Sequence, residues 1–368
     1  MPETIAQWNP SLPASLTADL ALAEKAMRDL DGRGPLLAAL AWPLLRTEAI
    51  ASSNIEGLGV SHRRLALATF GASDDPLAQA VLGNVRTLRR VIDVGTSRLD
   101  TRVLDDLHRV LLSGTRDAAW AGQVRDVQNW IGGRHPNPRG AAFIPPPPED
   151  VPGLVTDLLA FCRRDDVPVV AQAAIAHVQF ETIHPYFDGN GRLGRALVQV
   201  ILRRRGVAQE VFPPISLVLD GEDDRYVGGL TAFRNGDAGQ WLAFFAQTVF
   251  RAARAGEGLA DGIRTLQDRW REQAHRPRRG SAAATLIARL PEEPVVDLAG
   301  ARRLTGTSTQ AALRAIDHLV AADVLRECSG RRRGRVWEAV GLFALLNDLE
   351  TRVGRTSRRR PATGRRDH

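Results

Sequence analysis

Apolar residues recur at helical spacing over most of this chain, and this pattern predicts a mainly α-helical protein. Ala- and Leu-rich segments fill residues 1 to about 100, and residues 101–115 show a further amphipathic pattern. Helical spacing resumes at Val151, is interrupted before Gly191, and is found again over residues 222–272. The interruption is predicted to be a loop between two helices, the second of which begins near Gly191.

One segment departs from this helical texture. Residues 128–148 read QNWIGGRHPNPRGAAFIPPPP and contain two short β-prone patches, NWI and AAFI, among glycines and prolines. Short β-prone runs bounded by Gly and Pro are typical of a hairpin, and four consecutive prolines favour a stiff extended segment. The sequence therefore predicts a hairpin or flap, at about Gln128 to Ile144, that ends in a polyproline stretch.

Residues 281–345 resemble a separate helix-turn-helix module. The first helix would cover Leu298 to Leu304, Gly306 would form the turn, and Ser308 would cap the second helix. The following GRRRGRVWEAV resembles a wing hairpin. The chain after about residue 351 is Arg-rich and is predicted to be disordered.

Charge and cysteine content narrow the range of functions. The formal net charge is +7, but residues 351–368 carry seven arginines and one aspartate, so the rest of the chain is close to neutral. No apolar run is long enough to cross a bilayer, and the N-terminus lacks the pattern of an export signal, so no membrane partner is expected. The two cysteines, Cys162 and Cys328, lie far apart, which favours a reduced cytoplasm.

The predicted loop has the sequence HPYFDGNGRLGR, from His184 to Arg195. Within it GNGRLG matches the G-x-G-x-x-G pattern of dinucleotide-binding folds. That fingerprint requires a buried strand immediately before the first glycine, whereas here HPYFD and a predicted helix come before it. A dinucleotide site is therefore rejected.

The same loop nevertheless favours phosphate binding. Gly189, Asn190 and Gly191 lead into a helix, where backbone N–H groups and the helix dipole attract an anion. Arg192 and Arg195 lie three residues apart on its first turn. Cations are unfavourable at this end of the helix dipole, so the presence of two suggests a bound polyanion that outweighs the cost. A lone Arg pair or Asn-Gly step would be an ordinary surface feature or turn; the constellation points to phosphoryl or nucleotidyl transfer.

Two further side chains complete the candidate chemistry. Asp188 is a carboxylate suited to a Mg²⁺ ion that also touches phosphate oxygens, and His184 is a candidate general base near neutral pH. His177, by contrast, lies inside an Ala-rich helix and is interpreted as structural, hydrogen-bonded within the helix packing.

The stretch from His184 to Arg195 is similar to the Fic-family signature HPFx(D/E)GNGRxxR, with Tyr186 at a position where Phe is usual and packing is expected. Upstream, EAIASSNIEG resembles the inhibitory (S/T)xxxE(G/N) motif of that family, with Ser52, Glu56 and Gly57 in place. The 128–148 segment resembles the family's flap, and the C-terminal module resembles the winged helix appended to some members. The resemblance covers about residues 1–250.

The resemblance implies a Fic-type helical domain with a small β-hairpin flap, plus a C-terminal winged helix-turn-helix domain. The implied segments are a helical segment with the inhibitory motif (1–100), the catalytic core (101–250), a helical linker (251–280), the winged-helix module (281–345) and a basic, disordered tail (346–368).

The resemblance also implies an activity, namely transfer of AMP from Mg·ATP to a Ser, Thr or Tyr hydroxyl of a target protein. His184 would take the hydroxyl proton and Asp188 would hold Mg²⁺. The nucleotide would be bound by Gly189, Asn190, Gly191, Arg192 and Arg195, with Arg195 on the γ-phosphate. The flap would align the target segment by strand addition.

The inhibitory motif implies that Glu56 pairs with Arg195 and blocks the γ-phosphate position. From the residues alone, Glu56 is predicted at the C-terminal end of a helix before Gly57, with Ser52 one turn earlier on the same face. An acid there opposes the helix dipole slightly, and a solvated surface glutamate is the alternative interpretation.

Two competing functions remain open at this point. The first keeps the fold but transfers another group or removes AMP. The second is a DNA-binding regulator whose nucleotide site only senses the nucleotide. Residues 281–345 contain nine arginines and seven acids, so this module is only weakly basic. Docking of a protein is therefore an equal alternative role for the module. Partners left open are a target protein, the chain itself as substrate, a homodimer, and DNA at the module.

Overall fold

Helices make up most of the computed structural model, which describes residues 1–34, 37–70, 75–94, 99–132, 137–328 and 334–354. Its α-helices, in chain order, are α1 (Ala14–Asp31), α2 (Leu37–Ile55), α3 (His62–Ala68), α4 (Pro76–Val94), α5 (Thr101–Leu112), α6 (Val151–Cys162), α7 (Val169–Ile183), α8 (Asn190–Arg204), α9 (Ile215–Gly221), α10 (Asp223–Arg234), α11 (Ala238–Gln273), α12 (Ala282–Arg289), α13 (Leu298–Thr305), α14 (Thr309–Ala321) and α15 (Leu342–Gly354). The strands β1 (Val295–Asp297), β2 (Leu325–Glu327) and β3 (Val336–Ala339) form an antiparallel sheet in the order β1-β3-β2. The predicted fold class, mainly α, is confirmed.

Helix α7 lies at the centre of the larger core. Every one of its residues is buried, and it packs against α6, α8 and α11. Close approach of α7 and α8 depends on Gly194, because a Cβ at this position would lie 2.6 Å from Oε1 of Glu181 and 3.0 Å from the Phe180 ring. Two tightly packed helices thus fix both ends of the loop between them.

That loop runs from His184 to Gly189, as the hydrophobic pattern predicts. Helix α7 ends in a left-handed residue, His184 (φ 50°), and α8 begins at Asn190 after Gly189 (φ 75°). Because a helix rather than a strand comes before the glycines, the rejection of a dinucleotide fold is confirmed.

The sequence predicts a helical linker at 251–280, and these residues are helical as far as Gln273. These residues largely belong to α11, which runs unbroken from Ala238 to Gln273 after a break at 235–237. The middle of α11 is buried against α1 and α2, and Gly256 allows this contact because a Cβ there would lie 2.8 Å from Leu30. A helix with so much of its length buried contributes to the core, and its assignment as a linker stays a prediction.

The C-terminal module contains the predicted helices, but its apolar residues do not form a hydrophobic core of their own. Helix α13 ends at Gly306 (φ 65°), and the Ser308 hydroxyl accepts a hydrogen bond from the Ala311 N–H at 3.3 Å. Most of the module's buried apolar residues, however, belong to one cluster with α2 and α11 that includes Leu44 and Trp270. Part of the predicted wing, residues 329–333, lies outside the described residues, so the winged-helix assignment stays a prediction.

The predicted disordered tail begins too early. Residues 342–354 form α15, and its buried Leu342, Leu346 and Leu349 pack toward α9 and α11. Charge dominates the composition after residue 351 and hides this apolar spacing; residues 355–368 lie outside the described part. None of the helices described is long and apolar enough to cross a membrane.

Candidate active site

His184 lies at the C-terminal end of α7 in a conformation that is uncommon for a residue with a Cβ. Its N–H donates to the Phe180 carbonyl at 2.8 Å, and its own carbonyl accepts from Nε of Arg125 at 2.9 Å. Its Nδ1 atom is buried and has no hydrogen-bond partner among the described residues. Burial lowers the pKa of His184 to about 4, although Glu56 opposes this, so the ring is neutral at pH 7 and can accept a proton.

Asn190 holds the loop closed. Its Oδ1 accepts from the Tyr186 N–H at 2.9 Å and its Nδ2 donates to the Tyr186 carbonyl at 2.8 Å. The oxygen and the nitrogen of the side-chain amide are therefore both hydrogen-bonded within the loop. Asn190 can still offer its backbone N–H to a ligand. Together with Gly189 and Gly191 it forms the N-terminus of α8, where an anion is favoured.

Tyr186 is buried under the loop, as expected of a packing residue, but its hydroxyl also has a partner. The phenol O–H donates to Oδ1 of Asp105 at 2.8 Å, and the ring stacks on His108 with centroids 4.0 Å apart. A sequence interpretation of Tyr186 as packing alone is therefore incomplete.

His108 fixes the backbone of Asp188, a role that the sequence analysis missed. Its Nδ1 accepts from the Gly122 N–H at 2.8 Å, so Nε2 carries the proton and donates to the Asp188 carbonyl at 3.0 Å. Burial lowers the pKa of His108 to about 4, which keeps this arrangement neutral. A signal existed: His108 lies on the apolar face of α5, between Leu104, Leu107 and Leu111.

Asp188 and Arg192 face each other at the mouth of the site. Oδ2 of Asp188 lies 3.1 Å from Nη2 of Arg192, and the Asp188 side chain is 48 % exposed. Arg192 is buried, and its Nε and Nη1 have no hydrogen-bond partners among the described residues. Since buried donors are normally paired, these two point to an anionic ligand.

The structure brings Arg195, Ser52 and Glu56 together. Nη2 of Arg195 donates to Oε1 of Glu56 and to the Ser52 carbonyl, each at 2.7 Å, and its Nε donates to Oγ of Ser52 at 2.9 Å. Glu56 reaches over Gly191, where a Cβ would overlap its Oε1 atom. Gly57 (φ 77°) turns the chain directly after the carboxylate.

The charges of this pair stabilise each other. Burial raises the pKa of Glu56, but the Arg195 guanidinium outweighs it and leaves the pKa of that carboxyl below its usual value. Burial alone would lower the pKa of Arg195, yet Glu56 and its other neighbours raise it. The two groups are thus held as an ion pair, with the Glu56 side chain 38 % exposed and Arg195 buried.

A second layer of buried polar residues surrounds Arg195. Nε2 of His177 lies 2.8 Å from the Tyr226 hydroxyl, so its interpretation as a structural, hydrogen-bonded histidine is confirmed. Burial raises the pKa of Glu181 to about 7 and that of Glu48 to about 7. Glu48 accepts from the Ser216 N–H and hydroxyl, whereas Oε1 of Glu181 has no hydrogen-bond partner among the described residues.

The described part of the predicted flap lies beside this loop. The Ile131 N–H donates to the Phe143 carbonyl at 2.9 Å and the Ala142 N–H donates back to Ile131 at 2.8 Å, which makes a narrow antiparallel pair. Nδ2 of Asn129 donates to the Tyr186 carbonyl at 3.2 Å. The tip at 133–136 lies outside the described residues.

Comparison with known proteins finds relatives over the part of the chain that contains this loop. The sequence profile of the Fic/DOC family matches residues 98–202. A probable protein adenylyltransferase of Aquifex aeolicus is 31% identical over 170 residues, covering 46% of this chain and 51% of the relative. Protein adenylyltransferase fic-1 of Caenorhabditis elegans is 29% identical over 145 residues, or 39% of this chain and 25% of the relative. The chain thus spans about half the length of the first relative and a quarter of the second.

Solved structures give the same result for the fold. A Fic family protein from Desulfovibrio desulfuricans G20 superposes with a TM-score of 0.55 at 22% identity, over 91% of this chain and 99% of that one. Residues 134–508 of C. elegans Fic-1 superpose with a TM-score of 0.54 at 20% identity, over 67% of this chain and 72% of that one. Residues 98–202 therefore match the Fic/DOC family, and the chain has a mainly helical fold similar to that of solved Fic proteins.

Proposed function

We propose that this protein transfers AMP from Mg·ATP to a Ser, Thr or Tyr hydroxyl of a target protein. The observation that carries the proposal is the combination of a neutral histidine, His184 at the end of α7, with a buried Arg192 on the first turn of α8, two of whose donors have no partner among the described residues. One group can take a proton and the other can bind a phosphate. The names of the relatives, which are protein adenylyltransferases, support the same reaction.

The proposed reaction forms a bond between the target hydroxyl oxygen and the α-phosphorus, and breaks the bond from that phosphorus to the β-phosphate bridging oxygen. His184 takes the hydroxyl proton and pyrophosphate leaves. Arg192 and the backbone N–H groups at Gly189, Asn190 and Gly191 bind the phosphates, where charge stabilisation supplies much of the catalysis. The flap aligns the target segment by strand addition.

The donor set fits Mg²⁺. Among the described residues there is no group of three or more His, Cys, Asp or Glu side chains that could hold a metal by themselves. Mg²⁺ is commonly held by one or two carboxylates together with substrate phosphates, and the half-exposed Asp188 carboxylate beside Arg192 suits this mode. When bound, Mg²⁺ neutralises phosphate charge; Asp188 would hold it, and His108 keeps the Asp188 backbone in place.

We further propose that the N-terminal segment inhibits the enzyme. Glu56 engages the guanidinium of Arg195, which by the family resemblance is needed for the γ-phosphate. Glu56 also covers Gly191, at the N-terminus of α8 where phosphate would bind. ATP then binds in a pose unsuited to in-line attack until Glu56 moves away.

The free Cys162 and Cys328 support a reducing, cytoplasmic location.

The test follows the label from ATP. The Glu56→Gly chain is incubated with a cell lysate and with ATP labelled at either the α- or the γ-phosphate, and His184→Ala in the same background is the matched control. Label from α-phosphate alone on lysate proteins, or on the chain itself, supports AMP transfer. Label from the γ-phosphate alone would contradict it and favour phosphoryl transfer instead.

A further inference from the structure

Arg125 lies between the flap and the loop from His184 to Gly189, which we call the catalytic loop. Its guanidinium binds both. Its Nε donates to the His184 carbonyl at 2.9 Å, its Nη1 to the Val127 carbonyl at 3.1 Å, and its Nη2 to the Pro146 carbonyl at 2.5 Å. Val127 lies just before the flap and Pro146 just after it. One side chain thus ties both ends of the flap to the residue that is to accept the proton.

The backbone repeats this connection. The Arg125 N–H donates to the Pro185 carbonyl at 2.9 Å, and Val124 forms an antiparallel bridge with Tyr186. The segment before the flap therefore runs directly alongside the catalytic loop. A shift of this segment would move the flap and His184 relative to each other.

The environment of Arg125 is unusual for a buried cation. The residue is 5 % exposed, and no carboxylate forms an ion pair with it among the described residues. A buried charge is costly unless it is well hydrogen-bonded, and backbone carbonyls alone fill that role here. Only arginine offers several donors in a rigid planar fork, so lysine could keep the charge but not the set of contacts.

We propose that Arg125 is a positioning residue that holds the two ends of the flap at a fixed distance from His184. An acceptor segment paired with the flap then presents its hydroxyl to the histidine ring. This proposal rests on the proposed function, because it assigns the flap to the acceptor and His184 to the proton. Misplacement by about 1 Å can cost roughly a hundredfold in rate, so such a clamp matters.

The charge of Arg125 has a separate, measurable effect. Burial lowers the pKa of His184, Glu56 raises it, and both Arg125 and Arg234 lower it further. Removal of the Arg125 charge therefore raises the pKa of His184, and since the neutral ring is the base, the acidic limb of the rate profile moves to higher pH. A purely structural residue would lower the rate without moving that limb.

The experiment compares Arg125→Lys, which keeps the charge, with Arg125→Gln, which loses both charge and fork. Arg163→Lys is the matched control, because Arg163 also donates to a backbone carbonyl, that of Leu99, far from the flap. All are made in the full chain carrying Glu56→Gly. Hydrogen exchange of the Ile131 and Ala142 amides reports on the flap, and incorporation of α-labelled ATP into lysate proteins reports on the reaction.

In both Arg125 variants we expect the amide hydrogens of Ile131 and Ala142 to exchange about tenfold faster than in the parent. Label incorporation should be about ten- to a hundredfold slower, and the apparent KM for ATP should stay within about twofold of the parent. Only Arg125→Gln should move the acidic limb upward. Unchanged exchange at both amides, or an equal rise throughout the chain, overturns the proposal. If the Glu56→Gly parent itself incorporates no label, the proposed function fails, and amide exchange alone decides whether Arg125 holds the flap.

Discussion

Nη2 of Arg195 lies 2.7 Å from Oε1 of Glu56, although 139 residues separate the two in the sequence. The contact joins α8 to the end of α2, and Ser52 adds two more hydrogen bonds to the same guanidinium. A residue that we propose to bind substrate is thereby held by contacts within the chain. This relationship makes Glu56 the first residue to change.

We expect Glu56→Gly to raise AMP transfer, because Arg195 becomes free for the nucleotide. The pair must open whenever ATP binds productively, so its coupling free energy is on the order of 1–3 kcal/mol, or about five- to a hundredfold in rate. Incorporation of α-labelled ATP into the chain and into lysate proteins measures the change.

The control is the double variant Glu56→Gly with Arg195→Ala. It should stay inactive, because in the proposed function the same arginine binds the nucleotide. Equal activity of the double and single variants would show that Arg195 is not the residue for which Glu56 and the nucleotide compete. A Glu56→Gly chain no faster than wild type would contradict an inhibitory role of Glu56.

The sequence predicts local features of this site better than distant ones. The loop from His184 to Gly189 and the start of α8 follow from glycine placement and hydrophobic spacing, which are properties of neighbouring residues. The Glu56–Arg195 contact was expected only through the family resemblance. His108 is recognisable as a polar residue on the apolar face of α5, but its partner and that of Arg125 are backbone carbonyls far away in the sequence, which the residue types do not reveal.

The predicted domain boundaries also depend on distant contacts. Helical spacing shows that α11 and α15 have an apolar face but not which element covers it. Leu259 of α11 shares a cluster with Leu44 of α2 and with Leu286 of the C-terminal module, so the chain forms continuous packing where the sequence predicts a linker and a separate domain. Tertiary burial, not composition, decides that question.

His184→Ala should abolish AMP transfer while ATP binding remains nearly intact, since the proposed phosphate-binding groups lie at the N-terminus of α8. Loss of a general base is expected to cost about a hundredfold or more in rate. Label incorporation measures the rate, and calorimetry with ATP measures binding. Transfer within a few-fold of the Glu56→Gly parent would contradict the assignment of His184 as the base.

Asp188→Ala should weaken the dependence of turnover on Mg²⁺, because the variant lacks the carboxylate beside Arg192. A titration of label incorporation against Mg²⁺ concentration measures this, with Asp105→Asn as a control, since Asp105 lies behind the loop and bonds Tyr186 instead. An unchanged titration for Asp188→Ala would place the metal elsewhere.

Tyr186→Phe should destabilise the protein modestly, because it removes the hydrogen bond to Asp105 while the ring still stacks on His108. A neutral-to-charged hydrogen bond of this kind contributes about 1.5–3 kcal/mol. Urea unfolding measures the change. Asp105→Asn, which keeps an acceptor for the phenol, should lose less; unaltered stability of Tyr186→Phe would mean that the bond contributes nothing.

The buried Glu181 makes stability depend on pH. Burial raises its pKa in the folded protein to about 7, above the usual carboxyl value of 4.5, and its Oε1 has no hydrogen-bond partner among the described residues. Below pH 4.5 the group is protonated in both states and has no effect. Between 4.5 and 7 only the unfolded chain loses the proton, so the free energy of unfolding falls as pH rises, and above 7 the loss is constant.

Glu181→Gln removes this titration while it keeps the shape of the side chain. We expect the variant to match wild type near pH 4.5 and to be more stable at pH 8, by on the order of 3 kcal/mol. Urea unfolding from pH 4.5 to 8 measures both chains, and Glu149→Gln, at an exposed position before α6, is the control. Glu48 titrates in the same range and leaves a residual slope in every variant. If the slope of Glu181→Gln equals that of wild type, Glu181 is ionised in the folded protein, and its negative charge then lies beside Arg195 as a second counter-ion.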